Sequence, residues 1–305
     1  MSEYRATVVI ATKNRCDDLR RAISSAIAQT AKPEVIVVDD GSTDGTAEMV
    51  RAEFPGVRLE CSNVSRGCIV QRNRGAFLAS GEIIFSLDDD AQFSTVSVVE
   101  QTLKDFDDPR IGAVAVPYVE PKKTSRLMQS APDAFGTWIT NTFIGTAHAL
   151  RRDLFLSLSG YREPLFHQGE EGDFTIRLLD AGYVVRLGRS DAIIHWESPI
   201  RDFQRMDFYG PRNAILFHWQ NAPLGSLPLG FVATTFNCMR WSLAPARFWV
   251  RLHGIWNGYR TCGRLLRQPV RSKIYRLWRQ MRKDGPMLLA DVVPSLPVAT
   301  FASSD

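Results

Sequence analysis

Three consecutive carboxylates, Asp88-Asp89-Asp90, end the apolar run Ile83-Ile84-Phe85-Ser86-Leu87. Such a run reads as a buried strand of a parallel sheet. Open α/β sheets bind ligands just beyond the carboxyl ends of their strands. Adjacent carboxylates repel one another and gain nothing from burial alone, so this stretch calls for a cation. Hard oxygen donors suit Mg²⁺ or Mn²⁺, commonly shared with substrate phosphates. A solvated acidic turn capping a helix near Ser94-Thr95 explains the same residues, and the stretch by itself does not choose.

Two more acidic pairs and one histidine carry further chemistry. Asp39-Asp40 ends the run Val35-Ile36-Val37-Val38. Helix capping explains Asp44 nearby, but not two adjacent acids at a strand end. Glu170-Glu171 opens the stretch 169–177, where Asp173 and Arg177 have the i, i+4 spacing of an ion pair. That pair leaves Glu170 and Glu171 for acid–base work. His195 ends a short strand-like run. A lone strand-end histidine is more often structural, but this one follows a carboxylate pair.

The elements that must position these groups alternate. A strand at 6–12 precedes a helix capped by Asn14, with Leu19, Ala22, Ile23, Ala26 and Ile27 on its inner face. A second strand at 35–38 precedes a helix near 46–53 and a strand at 57–61. A helical stretch with Gln71-Arg72-Asn73-Arg74-Gly75 then leads to the acidic strand, and 111–116 is a further strand. This alternation predicts a doubly wound, mostly parallel sheet with helices on both faces.

Several functions are excluded. No G-x-G-x-x-G follows the first strand and no G-x-x-x-x-G-K-[ST] occurs. The loop at 40–51 begins like a calcium loop but has Arg51 where that loop needs Glu. No run of about 18 uncharged apolar residues suggests a spanning helix. The start, Met1-Ser2-Glu3-Tyr4-Arg5, has no secretory pattern, and five scattered cysteines fit a reducing compartment. The expectation is a cytoplasmic protein.

Net charge is unevenly spread. Residues 240–283 hold 12 Lys and Arg, no acid, and Trp241, Trp249, Trp256 and Trp278. The remaining chain carries 25 basic against 33 acidic residues, a net of −8. A basic aromatic segment suits an anionic membrane surface; the alternative is a helical cap on the main domain. No recognition motif supports nucleic acid. The expected division is a domain at 1–222, a basic helical appendage at 223–285 and a loosely ordered tail at 286–305.

Five motifs in order resemble family 2 glycosyltransferases of the GT-A fold. They are Val9-Ile10-Ala11-Thr12-Lys13-Asn14-Arg15, Val37-Val38-Asp39-Asp40-Gly41-Ser42-Thr43-Asp44, Arg72-Asn73-x-Gly75 with Gly81, Asp88-Asp89-Asp90, and Glu170-Glu171-x-Asp173-x-x-x-Arg177. The resemblance implies an inverting transferase using a nucleotide-diphosphate sugar and a divalent metal, Mn²⁺ or Mg²⁺. It assigns Glu171 as catalytic base and Asp88, Asp90 and His195 to the metal. It assigns Thr12, Asn14, Arg15, Asp39, Asp40, Arg72, Asn73, Asp88, Asp89, Glu170 and Asp173 to substrate. The segment 209–213 resembles the Arg-Asn segment of rhamnosyl-type transferases. Processive relatives carry Gln-x-x-Arg-Trp, whereas here Asn237 replaces the Gln of that pattern before Arg240-Trp241. The implied acceptor is therefore a glycan or lipid-linked precursor extended by one or a few sugars, at the inner face of the cell membrane. A nucleotidyltransferase also sets acidic pairs on such a sheet, but usually has a glycine-rich basic loop after the first strand. A non-catalytic nucleotide-sugar-binding protein is disfavoured by intact Asp88, Asp90, Glu171 and His195.

Overall fold

The computed structural model describes residues 5–196, 202–240 and 245–299. Met1–Tyr4, Trp241 and the last residues of the expected tail lie outside the described residues. Strand and helix alternate first: β1 (Ala6–Thr12), α1 (Cys16–Ile27), β2 (Glu34–Asp39), α2 (Thr46–Glu53), β3 (Arg58–Cys61), α3 (Cys68–Leu78) and β4 (Ile83–Asp88). The middle adds β5 (Ala91–Phe93), α4 (Val98–Lys104), β6 (Ile111–Ala115), β7 (Tyr118–Glu120), β8 (Thr124–Met128), β9 (Trp138–Thr140), β10 (His148–Arg151), α5 (Arg152–Ser157), α6 (Glu170–Asp180), β11 (Val184–Leu187) and β12 (Ile193–His195). The last third is mainly helical, with α7 (Phe203–Asn221), α8 (Leu227–Arg240), α9 (Pro245–Cys262), α10 (Ser272–Asp284), β13 (Met287–Leu288) and α11 (Leu289–Val292).

The large sheet has the order β13-β9-β11-β6-β10-β4-β1-β2-β3. β10 runs antiparallel to both β4 and β6, and β9 runs antiparallel to β11 and β13. The other strands share one direction. Alternate residues of β1 serve opposite faces: Val8 and Ile10 share a core with Leu19 and Ile23 of α1, and Val9 shares one with Ile69 and Ala76 of α3. Both faces being covered, the strands are apolar without alternation, which is why they were readable. A smaller sheet, β5-β12-β7-β8, stands beyond the end of β4. The acidic turn therefore leads into β5 rather than directly into a helix, and α4 begins only at Val98.

Two local expectations change. Ile27 is exposed, because α1 ends there. Asn14 does not cap α1. It sits in the left-handed region (φ 53°), and its Oδ1 accepts from the Thr43 backbone N–H at 2.8 Å, tying the β1 loop to the β2 loop.

The tail departs most from expectation. Ile274, Tyr275, Leu277, Trp278 and Met281 form the buried face of α10 and belong to the same core as β1 and α1. β13 pairs with β9, and Leu289 and Val292 of α11 are buried. Residues 270–292 are thus part of the main body, neither an appendage nor a loose end. Much of the basic run is also used internally. Arg247 and Arg251 clasp the buried Asp207 at 2.6 and 2.9 Å. Arg267 donates to the carbonyls of Trp219 and Ala222, and Arg271 to that of Asp180. A chain ending before Pro223 would lose these core contacts, so it is not expected to retain an intact site.

Gly254 and Gly258, one turn apart on α9, let it lie directly on α7. A Cβ at 258 would stand 2.9 Å from the Arg212 carbonyl oxygen, and one at 254 would overlap that of Phe208. Backbone cannot swing aside as a side chain can. Gly254→Ala gains about 1 kcal/mol of helix propensity but should lose more to the overlap, a net destabilisation of about 1–2 kcal/mol. Denaturant unfolding of both proteins measures it; an equal or higher midpoint for the variant would contradict this packing.

Candidate active site

β4 delivers Asp88 to the carboxyl end of the sheet, and the turn to β5 presents Asp89 and Asp90. Asp89 is nearly buried and accepts from Thr12 Oγ1 at 2.8 Å. Burial pushes its carboxyl up to about 7, against the pull of Arg15. Burial acts on Asp90 in the same sense, but His195 and Arg15 outweigh it and hold that carboxyl at about 2. Arg15 Nη1 stands 2.7 Å from Asp90 Oδ2, and His195 Nε2 stands 3.3 Å from Oδ1.

The small sheet brings His195 there. β12 pairs antiparallel with β5 so that His195 faces Ala91, and Trp196 N–H donates to the Asp90 carbonyl at 2.9 Å. β12 also pairs with β7, whose Glu120 Oε1 lies 3.1 Å from His195 Nδ1. Burial alone would lower the imidazole's pKa; Asp90, Asp88 and Glu120 raise it instead. One donor atom each from Asp88, Asp90 and His195 lies within 4.8 Å of the others. Two carboxylates and an imidazole oriented by a further carboxylate suit a divalent cation.

Arg72 of α3 joins this corner to the second acidic pair. Its Nη2 meets Asp88 Oδ1 at 2.6 Å and its Nη1 meets Glu170 Oε1 at 3.0 Å. Glu170 is buried, and its other oxygen has no hydrogen-bond partner among the described residues. Burial raises the carboxyls of both Glu170 and Glu171; Arg72 opposes this in each, and for Glu171 the neighbouring Glu170 adds to the rise. Gly145 lies close beside them: a Cβ there would lie 2.9 Å from Arg72 Nη2 and 3.0 Å from Glu171 Oε1, so a side chain would have to displace one of these groups.

These groups line one cleft of ≈ 690 Å³. Thr12, Arg15, Asp40, Arg72, Asp88, Asp89, Asp90, Glu170, Glu171 and His195 all border it. Asp40 borders it with both oxygens already engaged. Ser65 Oγ, the Arg66 and Gly67 N–H groups and Gln71 Nε2 donate to it. These bonds overcome burial and lower its pKa.

Asn14, Asp39, Asn73 and Asp173 do not border the cleft. Asp39 accepts from Ser42 N–H at 3.0 Å and shapes its own loop. Asn73 bonds both ways with the Tyr161 backbone. Asp173 is fully buried between Arg162 at 2.7 Å, Arg177 at 3.2 Å and Asn221 at 2.8 Å. Its position in α6, facing the body of the protein, makes it a brace for the helix that presents Glu171.

Further residues support the site, and of these only Arg212 and Asn213, in the segment 209–213, carry a sequence signal. Thr146 Oγ1 accepts from Asp88 N–H at 3.1 Å. His148 is buried and neutral, its pKa dropped to about 3 by burial, with Ile144 O on one nitrogen and Tyr161 OH on the other. The loop before α6 contains Phe166, Gln168 and Gly169, all at positive φ. Asn213 Nδ2 donates to the carbonyls of Leu165, His167 and Gln168 and clamps that loop. Its neighbour Arg212 donates to the Pro164 carbonyl.

Comparison with known proteins agrees with this arrangement. Residues 7–158, about half of the chain, match the model of glycosyl transferase family 2. The glucosyl-dolichyl phosphate glucuronosyltransferase of Haloferax volcanii is 27% identical over 60% of this chain and 63% of its own length. Succinoglycan biosynthesis protein ExoU of Rhizobium meliloti is 37% identical over 28% of this chain and 26% of its own. This chain thus spans less than two thirds of either relative. Among solved structures, a Pyrobaculum calidifontis mannosyltransferase, in complex with GDP-Man and Mn²⁺, is 21% identical, with a TM-score of 0.57 over 95% of this chain and 81% of that one. Staphylococcus aureus TarS 1–349 in complex with UDP-GlcNAc gives 16% and 0.59 over 92% and 87%. At those identities the likeness is one of fold. The family match runs through Thr12, Arg72 and the three aspartates, and this chain belongs to family 2 of the glycosyltransferases.

Proposed function

We propose that this chain transfers a sugar from a nucleotide-diphosphate sugar to an acceptor hydroxyl with inversion, using a divalent cation. The observation that carries the reading is the convergence of Asp88, Asp90 and His195 on the same cleft as Glu171. The donor set fits Mg²⁺ or Mn²⁺, which would neutralise charge gathering on the leaving diphosphate. Glu120 holds His195 through Nδ1 and leaves Nε2 turned towards Asp90. Thr12 and Arg15 fix Asp89 and Asp90 and, with Arg72, border the space for the nucleotide diphosphate.

Glu171 acts as the base. The acceptor oxygen attacks the anomeric carbon as its proton passes to the Glu171 carboxylate. The bond from that carbon to the diphosphate oxygen breaks, and its electron pair leaves with the nucleoside diphosphate. One displacement from the opposite face inverts the centre. The raised pKa of Glu171 gives a stronger base than an exposed carboxylate, ionised in a larger fraction as pH rises. Acceptors in keeping with the relatives are glycans or lipid-linked precursors, met at a membrane surface on the cytoplasmic side. No described helix is long and apolar enough to cross a membrane.

Asp90→Ala should abolish transfer, as should EDTA on the wild type, with activity restored by Mn²⁺ or Mg²⁺. Undiminished transfer in EDTA would rule out the cation. Glu171→Gln keeps shape and removes basicity, so donor binding should persist while kcat falls about 10²–10⁴-fold. Glu170→Gln should be milder, and a larger loss from Glu170→Gln than from Glu171→Gln would exchange their roles.

The pH profile tests the coupling between the two glutamates. Transfer should rise with pH as Glu171 ionises. Glu170→Gln removes the neighbouring negative charge, so the acid limb of kcat/KM should move to lower pH. A limb that stays in place or moves upward contradicts the coupling.

A further inference from the structure

A second cavity of ≈ 1470 Å³ adjoins the cleft, walled by α8 on one side and α10 on the other. We propose that it binds a lipid with a long apolar chain and a phosphate-type head, and that this lipid carries the acceptor; the acceptor role rests on the glycosyltransferase reading above.

The α8 wall is apolar. Leu229, Val232 and Phe236 are 78, 69 and 65% exposed and, with Ala233, follow i, i+3, i+4, i+7 spacing along one face. No charged side chain occurs from Leu227 to Met239. An apolar stripe normally turns into a core, and contiguous exposed apolar surface marks a binding site. The opposite face of α8 already packs on α7 and α9.

The α10 wall is cationic. Arg276, Arg279, Arg282 and Lys283 are exposed and border the cavity together with a single carboxylate, Asp284. None of these four cations has a carboxylate partner among the described residues; Arg279 and Arg282 instead lie over the rings of Tyr275 and Trp278. They differ from Arg247, Arg251 and Arg271, each of which has an acid in contact.

One ligand satisfies both walls: an apolar chain against α8 and an anionic head against α10. A nucleic acid would leave the α8 stripe unmatched. The end of the groove supplies the link to chemistry. Gln168 borders both this cavity and the cleft, and Gly169 and Gly172, on either side of Glu171 in sequence, border the groove. The groove thus meets the cleft at the start of α6, the helix that carries the base.

The test uses the full chain and three probes: farnesyl phosphate, farnesol and inorganic phosphate, titrated calorimetrically below micelle-forming concentrations. Farnesyl phosphate should bind at least about tenfold more tightly than either of the others. Val232→Asp/Phe236→Asp and Arg279→Glu/Arg282→Glu, all at exposed positions, should each weaken it about tenfold or more, while nucleotide binding at the cleft is unchanged. Farnesyl phosphate should also slow the wild type's hydrolysis of its nucleotide sugar by excluding water beside Glu171, and should not do so in the Arg variant.

Variants that bind farnesyl phosphate as the wild type does would overturn the site, and so would inorganic phosphate binding as tightly as farnesyl phosphate. Variants that lose sedimentation with anionic vesicles yet keep full farnesyl phosphate affinity would make this face a bilayer contact instead. A wild type that binds farnesyl phosphate but no nucleotide sugar would remove the acceptor role and the glycosyltransferase reading together, leaving the lipid site standing.

Discussion

The site depends on one buried guanidinium. Arg72 comes from α3 and holds Asp88 from the end of β4 and Glu170 from the start of α6. Those carboxylates are far apart in sequence, and without a cation between them they would repel in a poorly solvated cleft. Their attraction to a shared planar fork fixes the distance between the acidic corner and α6. Gly145 is the complementary constraint, since any side chain there would press on both Arg72 and Glu171. Glu171 inherits its position from this arrangement and its raised pKa from the burial and the neighbour that come with it.

The rest of the molecule braces the same two ends. Asp173, fully buried, locks α6 to Arg162, Arg177 and Asn221. Asn213 clamps the turn before it through three carbonyls, which sustains left-handed backbone at Phe166 and Gln168. Such backbone is costly for bulky residues and persists only where surroundings over-determine it. On the acidic side the small sheet carries His195 in register to Asp90 and lays Glu120 behind it. The two halves of the chain thus converge through a helix, a clamp and a sheet edge, not through one continuous element.

What was legible in the sequence follows from burial. Strands covered on both faces read as unbroken apolar runs, so β1, β2, β4 and β6 stood out, as did the acids at the ends of β2 and β4. β10 was not legible: four residues inserted antiparallel between β4 and β6 owe their conformation to their neighbours. The segment Gly145-Thr146-Ala147-His148 therefore had no visible place, although Gly145 and Thr146 border the cleft. Glu120 carries no pattern at all, because its partner lies 75 residues away. α10 misled in another way. Its arginines dominate composition, yet Ile274, Tyr275, Leu277, Trp278 and Met281 have the spacing of a core-facing stripe, and periodicity was the better guide. Asp173 shows the same lesson for polar residues: the simple i, i+4 pairing with Arg177 described it better than a role in substrate contact.

The short strand β13 has a consequence for solubility. It covers β9, which would otherwise offer a row of unpaired backbone groups at the margin of the large sheet. Being two residues long and followed at once by α11, it presents little template to another chain. That margin of the sheet is covered by the last strand among the described residues, while β3 forms the other margin. During synthesis that margin has no covering strand until residues 287–288 emerge.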